Sequence, residues 1–378
     1  MRYYRAPLRL RLPYLDGLRA LAALYVVAFH VMMGFSSDSL VGRARFLRRV
    51  FAYGHEAVAV FIVLSGYCLM LPVVLKSPDR LQVEFGRFMR RRAQRILPPY
   101  FIALAVSLAL IATVAPLRVV DHRTIWADSL PGLDRGAIAS HVLLVHNWFP
   151  AYKVQINGPL WSVATEWQIY FFFPLLLAPV WRRLGIPGGL LAAAACGYLP
   201  LAVAPVAADA AVTWYLLLFA FGMAAASIGF SPDEVATRLR TALPWGALSA
   251  VLWLVCAGFS MGAAKVWFAW KPLTDPLVGL ASATLLLHLT ARATHEGAPR
   301  GVLLGAFESR ALVGVGHFSY SLYLTHLPIL ALTELALAPL ALPPLLAAFV
   351  LLALGGAASL AFAYVFFLGA ERPFLLNR

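Results

Sequence analysis

Charge is scarce in this chain, and acidic charge most of all. Only 13% of its 378 residues are charged, with 31 Lys and Arg against 17 Asp and Glu. A soluble domain carries about 25%, so a soluble surface of this size would go largely uncoated. Cysteine is almost missing. Cys68, Cys196 and Cys256 all fall in apolar runs and form no CxxC pair, which excludes a disulfide framework and a cysteine metal motif. Repeats, low-complexity tracts and long linkers are absent as well. What fills the chain is apolar: 61% of residues, a mean hydropathy of +0.78, and several continuous runs of helix-spanning length. Runs of about 20 such residues cross a bilayer as helices. Their continuity, without alternation, leaves the helix as the spanning element. A soluble enzyme, a disordered chain and a secreted disulfide module are thereby excluded.

The apolar runs predict an all-α polytopic membrane protein of about ten transmembrane helices. They lie near 18–36, 55–75, 96–116, 159–181, 188–206, 211–229, 244–262, 272–291, 311–333 and 343–369. With the N-terminus inside, the inner segments hold 20 basic residues and the outer ones 10. That bias predicts cytoplasmic N- and C-termini. The outer Arg43, Arg45, Arg48 and Arg49 run against it. The basic head (Arg2, Arg5, Arg9 and Arg11) precedes a run without a small-residue cleavage site, so the first span reads as a retained helix. No soluble domain is appended, and residues 1–378 read as one membrane unit. The net charge of +14 lies between apolar spans, which points to lipid headgroups and argues against nucleic acid as a partner.

Ionisable residues inside spans are costly and mark function. Arg19 and His30 share the first span, 11 residues apart. On an α-helix this is about three turns and a rise of about 16 Å, so both point to one face at different depths. Headgroup snorkelling by Arg19 and a satisfied core histidine are the bland alternative. Glu166 lies about 10 Å down the fourth span and His30 about 8 Å below the outer end of its own. A histidine and a carboxylate at one level suit a base and its orienting partner, or a polar clamp between helices. Ser162 lies one turn from Glu166, and Trp161 precedes it. Before the third span, Arg92 and Arg95 share a face, and guanidinium forks suit phosphate. Ser319, Tyr323 and His326 form a polar stripe on the ninth span, as cavity lining or as helix–helix glue. Small residues in Phe61–Tyr67 suit close helix packing. His288 and His317 read as structural, and the outer-loop His122, His141 and His146 show no metal-ligand spacing. No metal is expected.

Together these pieces resemble the acyltransferase family 3 of bacterial integral-membrane O-acyltransferases, which includes O-antigen and exopolysaccharide O-acetyltransferases. The matching segments run in order along the chain: Leu15–Ala22 with His30, Phe61–Tyr67, Arg92–Arg95 with Ile96 and Pro98, Leu160–Ser162 with Glu166 and Tyr170, Phe318–Leu324 with His326, and Glu371–Phe374. The ordered set is specific where each piece alone is weak. Many relatives carry an acidic residue where Ala59 stands, and many continue into an extracytoplasmic hydrolase-like domain.

The resemblance implies an inner-membrane enzyme moving an acetyl or other acyl group from a cytoplasmic coenzyme A thioester to a hydroxyl of a cell-surface, exported or lipid-linked glycan. His30 would be the catalytic base and Glu166 its orienting or charge-balancing partner. Arg19, Arg92 and Arg95 would hold the phosphates of acetyl-CoA. Trp161, Ser162, Tyr323 and His326 would line the substrate cavity. Acylation of a macrolide or other small molecule, a transporter or glycan exporter, and a non-catalytic scaffold are the alternatives.

Overall fold

A computed structural model describes residues 10–35, 43–76, 83–118, 125–130, 133–295 and 300–376. The basic residues Arg2, Arg5 and Arg9, the side chains of Arg43 and Arg45, and His122 lie outside the described residues. Every regular element among the described residues is helical. The principal ones are α1 (Pro13–Met33), α2 (Gly54–Lys76), α3 (Phe85–Thr113), α4 (Leu160–Phe172), α5 (Ala178–Val203), α6 (Tyr215–Phe230), α7 (Trp245–Gly262), α8 (Lys271–Thr294), α9 (Ser319–Leu337) and α10 (Pro344–Leu375).

Eight stretches among the described residues are long and apolar enough to cross a membrane. A ninth forms if Pro205–Ala211 and α6, bent by 43°, count as one span. The chain is a multi-pass membrane protein. The difference from ten arises at the fourth and fifth expected spans, which run on as one stretch of 44 residues, Leu160–Val203. A straight helix of that length would reach about 66 Å, twice a bilayer core. Gly185 breaks it, at φ 65° and ψ −162°, a conformation glycine adopts without penalty.

The centre of the bundle is the crossing of α2 and α6. A Cβ on Gly66 would stand 1.9 Å from the Phe219 carbonyl oxygen, and one on Gly222 would stand 1.9 Å from that of Val63. The two backbones therefore touch, as small residues permit in membrane helices. Helices α1 and α8 pack on the same α2. Buried Tyr14, Tyr67 and Thr290 tie the three together, with hydroxyl oxygens 2.7–3.2 Å apart. Helix α9 packs against α1, α3 and α10. Two faces of α2 are thus put to different uses, which sets up the site.

Candidate active site

Helix α3 begins with basic residues and turns apolar at Ile96. Arg90 and Arg91 are exposed, while Arg92 and Arg95 are drawn inward. The i, i+3 spacing explains this, because it places both inner guanidiniums over one face. They line a cavity of about 110 Å³ that also receives Arg19, Ser65, Ser162, Glu166, Tyr170 and Tyr323. Six of the sequence-predicted residues therefore meet around one space, although they come from four helices. Arg19 is held there by Asp16 at 2.6 Å and reaches the Cys68 sulfur at 2.9 Å. Cys68 thus adds a sulfur acceptor to this cavity.

Glu166 departs from its expected partnership. Its Oε1 accepts the Tyr170 hydroxyl at 2.6 Å, and Ser65 lies 3.2 Å beyond. It faces the arginine cavity, not His30. A depth counted along two helices leaves the direction around each helix undetermined. Trp161 is also displaced from its expected place. It precedes Ser162 by one residue, hence by about 100° around the helix, and stacks on His55 at 5.7 Å with Lys153 over its ring. Burial pushes the Lys153 amine down to about 8. His317 is exposed, 3.9 Å from Asp16.

Tyr323 joins the arginine cavity to the histidines. Its hydroxyl is 2.7 Å from the Ser162 hydroxyl and donates to the Pro159 carbonyl at 3.1 Å. Its ring lies 6.0 Å from that of His326, one turn further along α9. Neither His326 nor His30 lines the arginine cavity. They meet each other instead: His326 Nε2 is 3.2 Å from His30 Nδ1.

The surrounding carbonyls fix the tautomers. His326 Nδ1 faces the Leu322 and Tyr323 carbonyl oxygens at 3.1 and 2.9 Å, so it carries the proton and its Nε2 is an acceptor. His30 Nδ1 faces that acceptor and the Val26 carbonyl at 2.9 Å, so it too carries the proton. His30 Nε2 is left as the unprotonated nitrogen, with no partner among the described residues. The ring is partly exposed. A histidine held in this way is a general base with its lone pair presented and its other nitrogen braced.

Sequence reasoning missed two buried groupings. His55 Nε2 is 2.8 Å from Asp275 Oδ2, which also accepts the Trp214 indole N–H at 2.7 Å. Glu56 Oε1 accepts the Trp267 indole N–H at 2.6 Å. The available signal was the rule applied to the first span: an ionisable residue within an apolar run marks a site. Between α3 and α4, His141 and His146 stack at 3.7 Å and are fully buried. Among the described residues, no group of three or more His, Cys, Asp and Glu is placed to hold a metal.

The acyltransferase MdmB of Streptomyces mycarofaciens is 29% identical over 350 residues, covering 86% of this chain and 80% of that protein. The peptidoglycan O-acetyltransferase OatA of Listeria monocytogenes is 26% identical over 347 residues, 85% of this chain. The O-acetyltransferase OatA of Staphylococcus aureus is 25% identical over 181 residues, 46% of this chain. This chain spans 50% of the Listeria protein and 26% of the Staphylococcus one. No solved structure matches. The acyltransferase domain model of family 3 matches residues 12–368: the chain belongs to acyltransferase family 3 and is a membrane O-acyltransferase.

Proposed function

We propose that this enzyme transfers an acetyl or other acyl group from an acyl-CoA, entering from the cytoplasm of a bacterial inner membrane, to a hydroxyl of a cell-surface glycan, with His30 as the base. The observation that carries the reading is the assigned tautomer of His30. Its Nε2 has no partner among the described residues, and its Nδ1–H is braced by His326. In the reaction His30 Nε2 takes the acceptor's hydroxyl proton as the oxygen attacks the thioester carbonyl. The C–S bond breaks, and the departing coenzyme A thiolate receives the proton back. The imidazolium formed in between strengthens the hydrogen bond to His326.

Arg19, Arg92 and Arg95 supply the donor end. A cavity of about 110 Å³ is smaller than the 300 Å³ or more of a site enclosing a whole ligand. It suits the slender arm of the thioester, with the phosphates on the guanidiniums at its mouth. The rise of about 16 Å from Arg19 to His30 supports a donor bound low and a reaction carried out high. This polarity agrees with the cytoplasmic termini expected from the basic bias. The glycan acceptor is supported by the peptidoglycan named for the Listeria relative, and membrane lipids surround the spans.

The test is acetyl-CoA binding to purified protein in nanodiscs. Arg92→Ala/Arg95→Ala is expected to weaken binding at least tenfold, since each charged hydrogen bond is worth about 1.5–3 kcal/mol. His30→Ala is expected to bind as wild type does. Full affinity in the folded arginine double variant would remove the donor assignment.

A further inference from the structure

A second cavity lies on the other side of the α1–α2 pair. Its volume is about 460 Å³, within the range of small-molecule sites. Helix α1 lines it with Leu18, Leu21, Ala22 and Tyr25, and α2 with Glu56, Ala57, Val60 and Leu64. At 100° per residue, these α2 positions fall opposite Val58, Phe61, Ile62 and Ser65, which line the arginine cavity. On α1 they fall away from Arg19 and His30. The two cavities are therefore separate, with α1 and α2 as the wall between them.

The far wall comes from α7 and α8. Leu21 on α1 and Met261 on α7 both line the cavity, and each is 47% exposed. Both stand at the apolar perimeter of a multi-pass protein, so the cavity opens sideways toward lipid. Its hydroxyls are already engaged with backbone. Tyr25 donates to the Val50 carbonyl, Tyr53 to that of Ser260, Ser260 to that of Ala257 and Ser282 to that of Val278. Two lining groups are left unmatched among the described residues, the Trp253 indole N–H and Glu56, and Glu56 alone offers an acceptor. It is 92% buried, at 8% exposure, and lines the cavity. Its Oε1 is satisfied by Trp267, while its Oε2 has no hydrogen-bond partner among the described residues. A buried carboxyl oxygen left unmatched in an apolar site costs about 1–3 kcal/mol or more, and a ligand bearing a donor removes that cost.

We propose that this cavity binds a single-chain membrane amphiphile bearing a hydroxyl group, which enters from the bilayer and hydrogen-bonds Glu56 Oε2 while its chain fills the apolar volume. The site serves binding and takes no part in acyl transfer at His30.

The test uses two photoreactive probes in nanodiscs: a diazirine-bearing dodecanol and the matching diazirine-bearing dodecane. The readout is the labelled peptides, identified by mass spectrometry, and needs no acyl-transfer activity. Wild type is expected to carry label near Leu21, Cys256 and Met261. The alcohol should label about two- to tenfold more than the alkane, the worth of one net hydrogen bond. Glu56→Met is expected to remove that preference, and Ser282→Phe, which fills the cavity, to remove labelling by both probes. Equal labelling by alcohol and alkane in wild type would overturn the role of Glu56. Labelling undiminished in folded Ser282→Phe would overturn the site itself. The wild-type comparison decides the matter even if Glu56→Met does not fold.

Discussion

Removing the His326 imidazole tests the bracing of His30 directly. His326 Nε2 is the acceptor for His30 Nδ1–H at 3.2 Å, and the Val26 carbonyl shares that proton at 2.9 Å. While His30 is neutral, the bond to His326 is one ordinary hydrogen bond. When His30 holds the acceptor's proton it becomes charge-assisted, worth about 1.5–3 kcal/mol against about 0.5–1.5 for the neutral form. The difference of about 1–2 kcal/mol falls on the transition state, and each 1.36 kcal/mol is tenfold in rate. His326→Ala is therefore expected to lower kcat by roughly 5- to 30-fold and to leave donor affinity unchanged, because the arginines line a cavity that His326 does not enter. His326→Gln keeps an acceptor oxygen and is expected to recover part of the loss. The assay is acetyl release from acetyl-CoA in nanodiscs, with kcat and KM separated and melting temperature followed in parallel. A folded His326→Ala enzyme with wild-type kcat would refute the assigned proton arrangement.

The α2–α6 crossing predicts that Gly66→Ala and Gly222→Ala each destabilise by about 3 kcal/mol or more, since the new methyl meets backbone that cannot rotate away. By contrast, Gly258→Ala on α7 has nothing within 4 Å of its new Cβ and should stabilise by about 0.5–1 kcal/mol; thermal unfolding in detergent separates the two cases. Acidification has its own signature outside the spans. Burial pushes His141 down to about 4 and His146 to about 2, against about 6.5 in an unfolded chain. The unfolded state then binds more protons, so stability rises with pH. It is fully present above about 6.5 and is lost as pH falls toward about 4. His146→Phe removes the more strongly depressed of the two imidazoles, so melting temperature should fall less steeply from pH 6.5 to 4.5 than in wild type; an unchanged slope would contradict the assignment.

The helical architecture was legible because a bilayer-length apolar run has one structural solution. Arg92 and Arg95 were legible for a local reason. Their spacing alone puts both on one face, and α3 turns that face inward. The convergence of Ser162, Glu166 and Tyr323 on Arg19, Arg92 and Arg95 depends on four helices, and the sequence grouped only the three arginines. The pairing of His30 with His326 did not show in the sequence, because it joins residues 296 apart and no periodicity within one helix encodes a crossing between two. Assigning Glu166 to His30 failed for the same reason. Matching depths on separate helices says nothing of azimuth. Trp161 failed on azimuth within one helix, since its neighbour Ser162 takes the cavity face. The merging of the fourth and fifth spans turned on Gly185, where one backbone conformation replaces a loop.

The central claim is that His30 moves the proton during acyl transfer. Its most direct test is the rate of acetyl transfer from labelled acetyl-CoA by His30→Ala, with donor affinity and melting temperature measured on the same preparation. The account predicts a rate lower by about 10² to 10⁴, the usual contribution of a positioned general base, with donor binding and folding retained. A well-folded His30→Ala enzyme that transfers acetyl groups at the wild-type rate would contradict it.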